Sequence, residues 1–220
     1  MTIAHNIQQI RASLPSSVRL IAVTKQVSVE AMRVAYREGI RDFAENRLQE
    51  ALTKQEELKD LSDVTWHFIG HLQTNKARKV LEHFPSIQSL DSLKLAQRLN
   101  QLAQELAISP RVYLQVKPLN DPDKYGWSIP ELIEDLPQLE TCQSLKFQGL
   151  MTILPYGLSS AEQLKAFATV RDVRTILEEK SALCLPELSM GMSGDYLLAV
   201  KAGATMVRLG QILFGSRPSL

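Results

Sequence analysis

Two segments near the carboxyl end of the chain are suited to holding an anion. Ser189-Met190-Gly191-Met192-Ser193-Gly194-Asp195 and Arg208-Leu209-Gly210, with Phe214-Gly215-Ser216-Arg217 close behind, follow short apolar runs with small residues and then a helical pattern. A turn of small residues that opens a helix leaves backbone N–H groups free. The helix dipole adds partial positive charge, so the pair forms a seat for a phosphate. Lys25 supplies a second chemistry at the other end of the chain, directly after the apolar run Arg19-Leu20-Ile21-Ala22-Val23-Thr24. An ammonium beside apolar walls and other cations loses its proton more readily, and the free amine attacks aldehydes.

A ligand with both a phosphate and an aldehyde would use both features, and pyridoxal phosphate (PLP) has both groups. Arg208 fits the same ligand. Its guanidinium stays charged and accepts no proton, so beside a pyridine nitrogen it would leave that nitrogen unprotonated. Such a ring is a poorer electron sink than one partnered by an acid. Each residue also has a plainer reading. Lys25 can be a solvated strand-end lysine, and Arg208 can pair with a carboxylate at a rim. Ser193 can cap the helix that starts at Gly194. Glu45-Asn46-Arg47 can touch a ligand ring or cap the next helix. Trp66 and Phe68 read as core, and His67 as a satisfied core histidine. His71 has too few sequence partners to assign, and Lys76, Arg78 and Lys79 read as a solvated helix face.

These residues fall at the ends of strands in an alternating pattern. Strands are predicted at Arg19–Thr24, Ile40–Ala44, Thr65–Ile69, Ser86–Leu90, Arg111–Val116, Leu145–Leu150, Glu187–Met190 and Thr205–Leu209. Helical patterns separate them at Val29–Glu38, Arg47–Leu61, Asn75–His83, Ser92–Ala107, Pro130–Leu139, Ala161–Lys180 and Gly194–Ala202, with a short one at the end. In the fourth, Leu95, Leu99, Leu102 and Leu106 recur at near-helical spacing. Strict alternation predicts a parallel sheet with right-handed crossovers. Eight units after an N-terminal helix predict an α/β (β/α)8 TIM-type barrel, with residues 1–220 as one domain. Ligands of such barrels sit at the carboxyl ends of the strands, and phosphate sits after strands seven and eight. An open doubly wound sheet is the rival, but no GxGxxG follows the first strand. Pro118–Ser128 is the longest polar connection, the kind of loop that serves as a lid.

The chain has 220 residues, 45% hydrophobic and 22% charged, which suits one globular core. A net charge of +1 gives no reason to expect a nucleic-acid or anionic-membrane surface. Cys142 and Cys184 stand far apart without a CxxC pair, so free thiols are expected and a zinc site is not. The N-terminus lacks the apolar core of a signal peptide, and no run is long enough to span a membrane. A soluble cytoplasmic protein is expected.

Several segments resemble the pyridoxal phosphate homeostasis protein family. They are Val23-Thr24-Lys25, Phe43-Ala44-Glu45-Asn46-Arg47 with Gln49-Glu50, and Trp66-His67-Phe68-Ile69-Gly70 with Leu72 to Lys76. Gly149-Leu150-Met151, Leu188 to Ser193 with Asp195, and Val207 to Gly210 with Phe214-Gly215 and Arg217 complete the set. Ala44 stands where that family usually has glycine, a small change. The resemblance implies a monomeric fold-type III barrel similar to the alanine racemase N-terminal domain, with PLP carried on Lys25. It implies that Ser193 and the Gly210-Gln211 backbone hold the phosphate. Arg208 would face the pyridine nitrogen, with Asn46 and Met151 lining the ring. PLP-requiring apo-enzymes are the expected recipients.

A carrier that buffers PLP, and hence amino-acid and keto-acid balance, is expected rather than an enzyme. Racemisation needs an acid and a base on opposite faces of the substrate carbon. Alanine racemase-like proteins draw the second from a C-terminal domain, for which a sequence ending at Leu220 leaves no room. A Schiff-base aldolase on the same barrel is a third option, and it leaves the Trp66–Lys76 segment unexplained.

Overall fold

Each apolar run of the sequence becomes a strand, and alternation along it sends every second side chain into a closed barrel. A computed structural model describes residues 2–215. The strands are β1 (Arg19–Val23), β2 (Asp42–Glu45), β3 (Thr65–Phe68), β4 (Ser86–Leu90), β5 (Arg111–Lys117), β6 (Trp127–Ser128), β7 (Lys146–Met151), β8 (Glu187–Ser189) and β9 (Met206–Leu209). The hydrogen-bonded order is β4-β3-β2-β1-β9-β8-β7-β5, and pairing of β4 with β5 closes the ring. All these pairings are parallel. The two-residue β6 adds to the end of β5 outside the ring, an element the sequence pattern does not reveal.

Helices α1 (Ile3–Ser13), α2 (Val29–Arg37), α3 (Leu48–Glu57), α4 (Ala77–His83), α5 (Leu93–Glu105), α6 (Ile129–Glu140), α7 (Ser160–Lys180), α8 (Tyr196–Lys201) and α9 (Gln211–Phe214) surround the strands. Their starts are written in the sequence. Ser28, Ser92, Ser128 and Ser159 cap α2, α5, α6 and α7 with side-chain oxygens, satisfying N–H groups that a first helical turn leaves unpaired. Ser128 with Glu131 and Ser159 with Glu162 form full capping boxes. The buried stripe of α5 (Leu95, Ala96, Leu99, Leu102, Ala103) matches the predicted periodicity.

The main apolar core lies between strands and helices, with Phe43, Phe68, Phe84, Ile87 and Phe167 fully or almost fully buried. Phe68 is core as expected, whereas Trp66 is only partly buried and tilts against Phe43 at 5.8 Å. A second cluster of Ile21, Val23, Ala44, Tyr113, Met151 and Met206 fills part of the barrel itself. Barrels are usually packed inside by layers of branched apolar residues. Here polar groups take much of that space. Arg19 pairs with Glu187 at 3.1 Å, and the Tyr113 hydroxyl donates to Glu187. His67 is fully buried with Nε2 2.8 Å from Asp42 Oδ1 and Nδ1 3.2 Å from Gln88 Nε2. The two cysteines are free thiols, Cys142 buried and Cys184 exposed. No described helix is long and apolar enough to cross a membrane.

Burial holds the His67 pKa below its ordinary value of 6.5; Asp42 opposes this, while Arg111 and Arg19 reinforce it. Below that ordinary value an unfolded chain takes up a proton that the folded chain refuses. Stability from this group is therefore full above 6.5 and lost as the pH falls below it. The Tm is expected to drop between about pH 7 and about pH 5, and His67→Gln to flatten that drop in thermal denaturation.

Candidate functional site

Lys25 continues the inward face of β1, two residues beyond Val23 and four beyond Ile21 in the interior cluster. It is half-buried at the carboxyl end of the strand, where the sequence pattern puts it. Thr24 points the other way, into the layer beneath the helices, and both neighbours of Lys25 are tied down. Thr24 is fully buried, and its hydroxyl donates to Glu45 Oε1 at 2.7 Å. The Lys54 ammonium donates to the Thr24 carbonyl at 2.6 Å, to Glu45 Oε1 at 2.8 Å and to Glu50 Oε1 at 2.6 Å. Glu50 also accepts the N–H of Gln26, which sits at a φ of 58°. One buried cation and two carboxylates thus grip the backbone on both sides of Lys25.

Sequence reasoning missed Lys54. Its spacing from Glu50 looks like a solvated i,i+4 pair, yet Ala51, Lys54 and Leu58 form the buried stripe of this helix. A lysine within an apolar stripe was the available signal. Burial raises the pKa of Glu45, with Lys54 and Thr24 pulling it back. Burial also acts to raise Glu50, but the bonds from Lys54 and from the Gln26 N–H outweigh it and leave its pKa lowered.

The three residues Glu45-Asn46-Arg47 lie in three different settings. Glu45 belongs to the buried ion pair with Lys54. Arg47 occupies the N-cap position of α3 with no side-chain bond. Asn46, half-buried just past β2, is at the mouth. Its backbone is fixed by Gly70, where a Cβ would lie 2.1 Å from the Asn46 carbonyl oxygen. No side chain fits there.

Arg208 is 3% exposed on β9. It donates through Nη1 to the Ser189 carbonyl at 2.6 Å and Ser189 Oγ at 2.8 Å, and through Nη2 to the Thr152 carbonyl at 2.7 Å. The expectation of a rim ion pair fails, because these partners are neutral and Asp195 acts on it only through longer-range charge. Burial lowers its pKa to about 10, so it remains a cation at neutral pH. Of five guanidinium N–H donors, these three bonds to described residues leave Nε–H and one Nη2–H. Met151 lies fully buried in the interior cluster, on the strand that precedes Thr152.

The Ser189–Asp195 turn differs from expectation in one respect. Ser193 does not cap the following helix: α8 begins at Tyr196 with Asp195 as its N-cap residue. The cause is local. Asp195 Oδ1 accepts the Met192 N–H at 2.6 Å, and the Met192 carbonyl accepts from both Asp195 and Tyr196, which tightens the turn before the helix opens. The Ser193 hydroxyl instead accepts the Ile212 N–H at 3.3 Å, joining the two small-residue turns directly. Gly210 is buried at the start of α9, and Gln211 is its exposed first residue. A Cβ at Gly194 would meet nothing within 4 Å, so space lies open beside the turn. Ser216 and Arg217 lie outside the described residues.

The Pro118–Ser128 connection crosses the same end of the barrel. Tyr125 stacks on His71, with centroids 3.6 Å apart and planes at 9°, and Gln115 donates to the Tyr125 carbonyl at 2.8 Å. His71 also bonds Asp91 at 2.9 Å, partners that its sequence neighbourhood does not reveal. Lys76, Arg78 and Lys79 are exposed, as read from the sequence, and Arg78 pairs with Glu105 on that face.

The sequence pattern described as alanine racemase, N-terminal domain, matches residues 1–218. The pyridoxal phosphate homeostasis protein of Synechocystis is 54% identical over 209 residues, covering 95% of this chain and 96% of that one. The chain belongs to this family. The structure of PipY of Synechococcus elongatus with PLP bound superposes with a TM-score of 0.94 at 50% identity, covering 97% of this chain and 100% of that one. An alanine racemase of Clostridium difficile superposes with a TM-score of 0.80 at 18% identity, over 99% of this chain and 60% of that one, and shares the barrel fold.

In this family member the Lys54 pairs are a structural liability when broken singly. Lys54→Met leaves two carboxylates, one of them fully buried, without their cation and is expected to cost about 3 kcal/mol or more in urea denaturation. Lys54→Met combined with Glu45→Leu removes both buried charges and is expected to recover part of that loss.

Proposed function

We propose that this chain binds PLP at the mouth of its barrel and acts in PLP homeostasis, holding the cofactor for PLP-requiring apo-enzymes without turnover of its own. The reading rests chiefly on one observation. Arg208 is a buried cation whose hydrogen-bond partners are all neutral, on the strand that leads into the Gly210-Gln211 turn. A buried charge of this kind is costly unless something uses it. The pyridine ring of PLP fits beside it, and the relatives named for PLP homeostasis together with the PLP-bound PipY structure support that choice.

The residues then take distinct roles. PLP supplies an electrophilic aldehyde carbon. The Lys25 amine would be the group that holds that carbon, with its backbone flanked by the Lys54 bond to the Thr24 carbonyl and the Glu50 bond to the Gln26 N–H. Ser193 and the Gly210-Gln211 backbone hold the phosphate, beside the open space at Gly194. Asn46 and Met151 line the ring. Arg208 stays protonated and leaves the ring nitrogen without a proton, which disfavours carbanion chemistry and suits a carrier. The same reading has the protein working as a cytoplasmic monomer.

Purified protein is expected to be yellow or to turn yellow on adding PLP. Borohydride reduction should abolish the band and leave a pyridoxyl group on the peptide that contains Lys25, read by mass spectrometry. Lys25→Ala is expected to lose the covalent adduct and at least about tenfold in affinity. A colourless protein that takes up no PLP would refute the reading.

A further inference from the structure

Inside the barrel, the polar groups below Arg208 form an unbroken chain of hydrogen bonds. Ser189 Oγ accepts from Arg208 Nη1 at 2.8 Å, and its own hydroxyl donates to Gln88 Oε1. Gln88 Nε2 lies 3.2 Å from His67 Nδ1, and His67 Nε2 lies 2.8 Å from Asp42 Oδ1. The path runs through β9, β8, β4, β3 and β2. Since β4 and β8 are not neighbours in the sheet, the Ser189–Gln88 bond crosses the barrel interior.

The chemistry of each member fixes the direction of the next bond. An ionised Asp42 can only accept, so the proton of a neutral His67 sits on Nε2. Nδ1 is then an acceptor and needs the amide N–H of Gln88. That choice turns Gln88 Oε1 toward Ser189, whose hydroxyl has to donate to it. The hydroxyl oxygen is left with its lone pairs free to accept from the guanidinium. Every bond therefore points the same way, from the cation to the carboxylate, and such chains strengthen one another. Reversing Gln88 would force the proton of His67 onto Nδ1 and set a bare Nε2 against the Asp42 carboxylate. Only one arrangement satisfies all five groups.

We propose that Asp42, His67 and Gln88 are positioning residues for Arg208, fixing the orientation of its guanidinium at the mouth from the opposite end of the barrel. The proposal rests on Arg208 being part of the PLP site and adds how its orientation is set. The carbonyls of Ser189 and Thr152 hold the guanidinium at two points, while Ser189 Oγ supplies the directional third contact. That oxygen is directional only because Gln88 takes its proton. Asp42 begins β2, about 13 Å along the strand from Asn46 at the mouth. A substitution there acts on the mouth through the chain.

The test combines PLP titration followed by absorbance with ¹⁵N NMR of the histidine ring in the ligand-free, full-length protein. In the wild-type chain His67 is expected as the neutral Nε2–H tautomer at neutral pH. Asp42→Ala and Gln88→Leu are expected to weaken PLP binding about tenfold and to shift the absorbance maximum of bound PLP. Asp42→Asn keeps an acceptor oxygen for His67 and is expected to restore the tautomer and most of the affinity. Wild-type affinity and spectrum in a folded Asp42→Ala protein would overturn the proposal. Should Gln88→Leu fail to fold, Asp42→Ala and its Asn rescue still decide it, since the Asp42 side chain is 19% exposed at the rim. If the wild-type chain takes up no PLP, the reading of the site fails. The relay is then judged on the ligand-free protein, where an Nδ1–H tautomer of His67 overturns it.

Discussion

Pairing of β4 with β5 closes the sheet, and the closed ring then limits what the interior can hold. A ring of eight strands leaves room only for side chains, so each inward residue must fill space and satisfy its own polar atoms there. In this chain the inward set includes Arg208, His67, Gln88, Ser189, Tyr113 and Glu187 as well as Ile21, Val23 and Met151. Polar groups in a dry interior are tolerated only when bonded to each other. The interior is consequently wired across the ring, and a change at one strand is felt at the strand facing it.

Two buried cations illustrate how the same fold handles charge in opposite ways. Lys54 lies outside the ring between β2 and α3, and two carboxylates compensate it. Its charge is spent on structure, holding the Thr24 carbonyl directly and Glu50, which in turn accepts the Gln26 N–H. Arg208 lies inside, bonded to two carbonyls and a hydroxyl. Its charge is left for whatever approaches from the mouth. A lysine could not do the same work, because an ammonium lacks the planar fork that spans Ser189 and Thr152 and, buried without a carboxylate, gives up its proton more readily.

The mouth itself is dressed by loops whose mutual contacts are aromatic. His71, held by Asp91, carries Tyr125 flat on its ring, and Lys124 lies over the ring of Tyr156 at 5.1 Å. These contacts bring together the connections after β3, β5 and β7. Stacking and cation–π contacts are short-ranged and individually modest.

The order of the elements and the places of Lys25 and Asn46 just past β1 and β2 were legible in the sequence because they depend on local chemistry. Apolar runs, serine caps and glycine turns act over a few residues, and strict alternation of strand and helix leaves few ways to connect them. Residues whose meaning lies in distant partners were not legible. Lys54 looked like a surface lysine until α3 turned its stripe onto Thr24 and Glu45. The role of Ser193 changed from cap to bridge because Asp195 took the turn and Ile212 came within reach of the hydroxyl. Gln88 carried no signal at all, since its partners His67 and Ser189 are 21 and 101 residues away. The sequence by itself determined which elements form, the two-residue β6 apart, and where polar residues fall at the strand ends. Only closure of the ring decided which polar groups meet across it, because hydrogen bonds need contact and a linear pattern holds no record of what lies opposite.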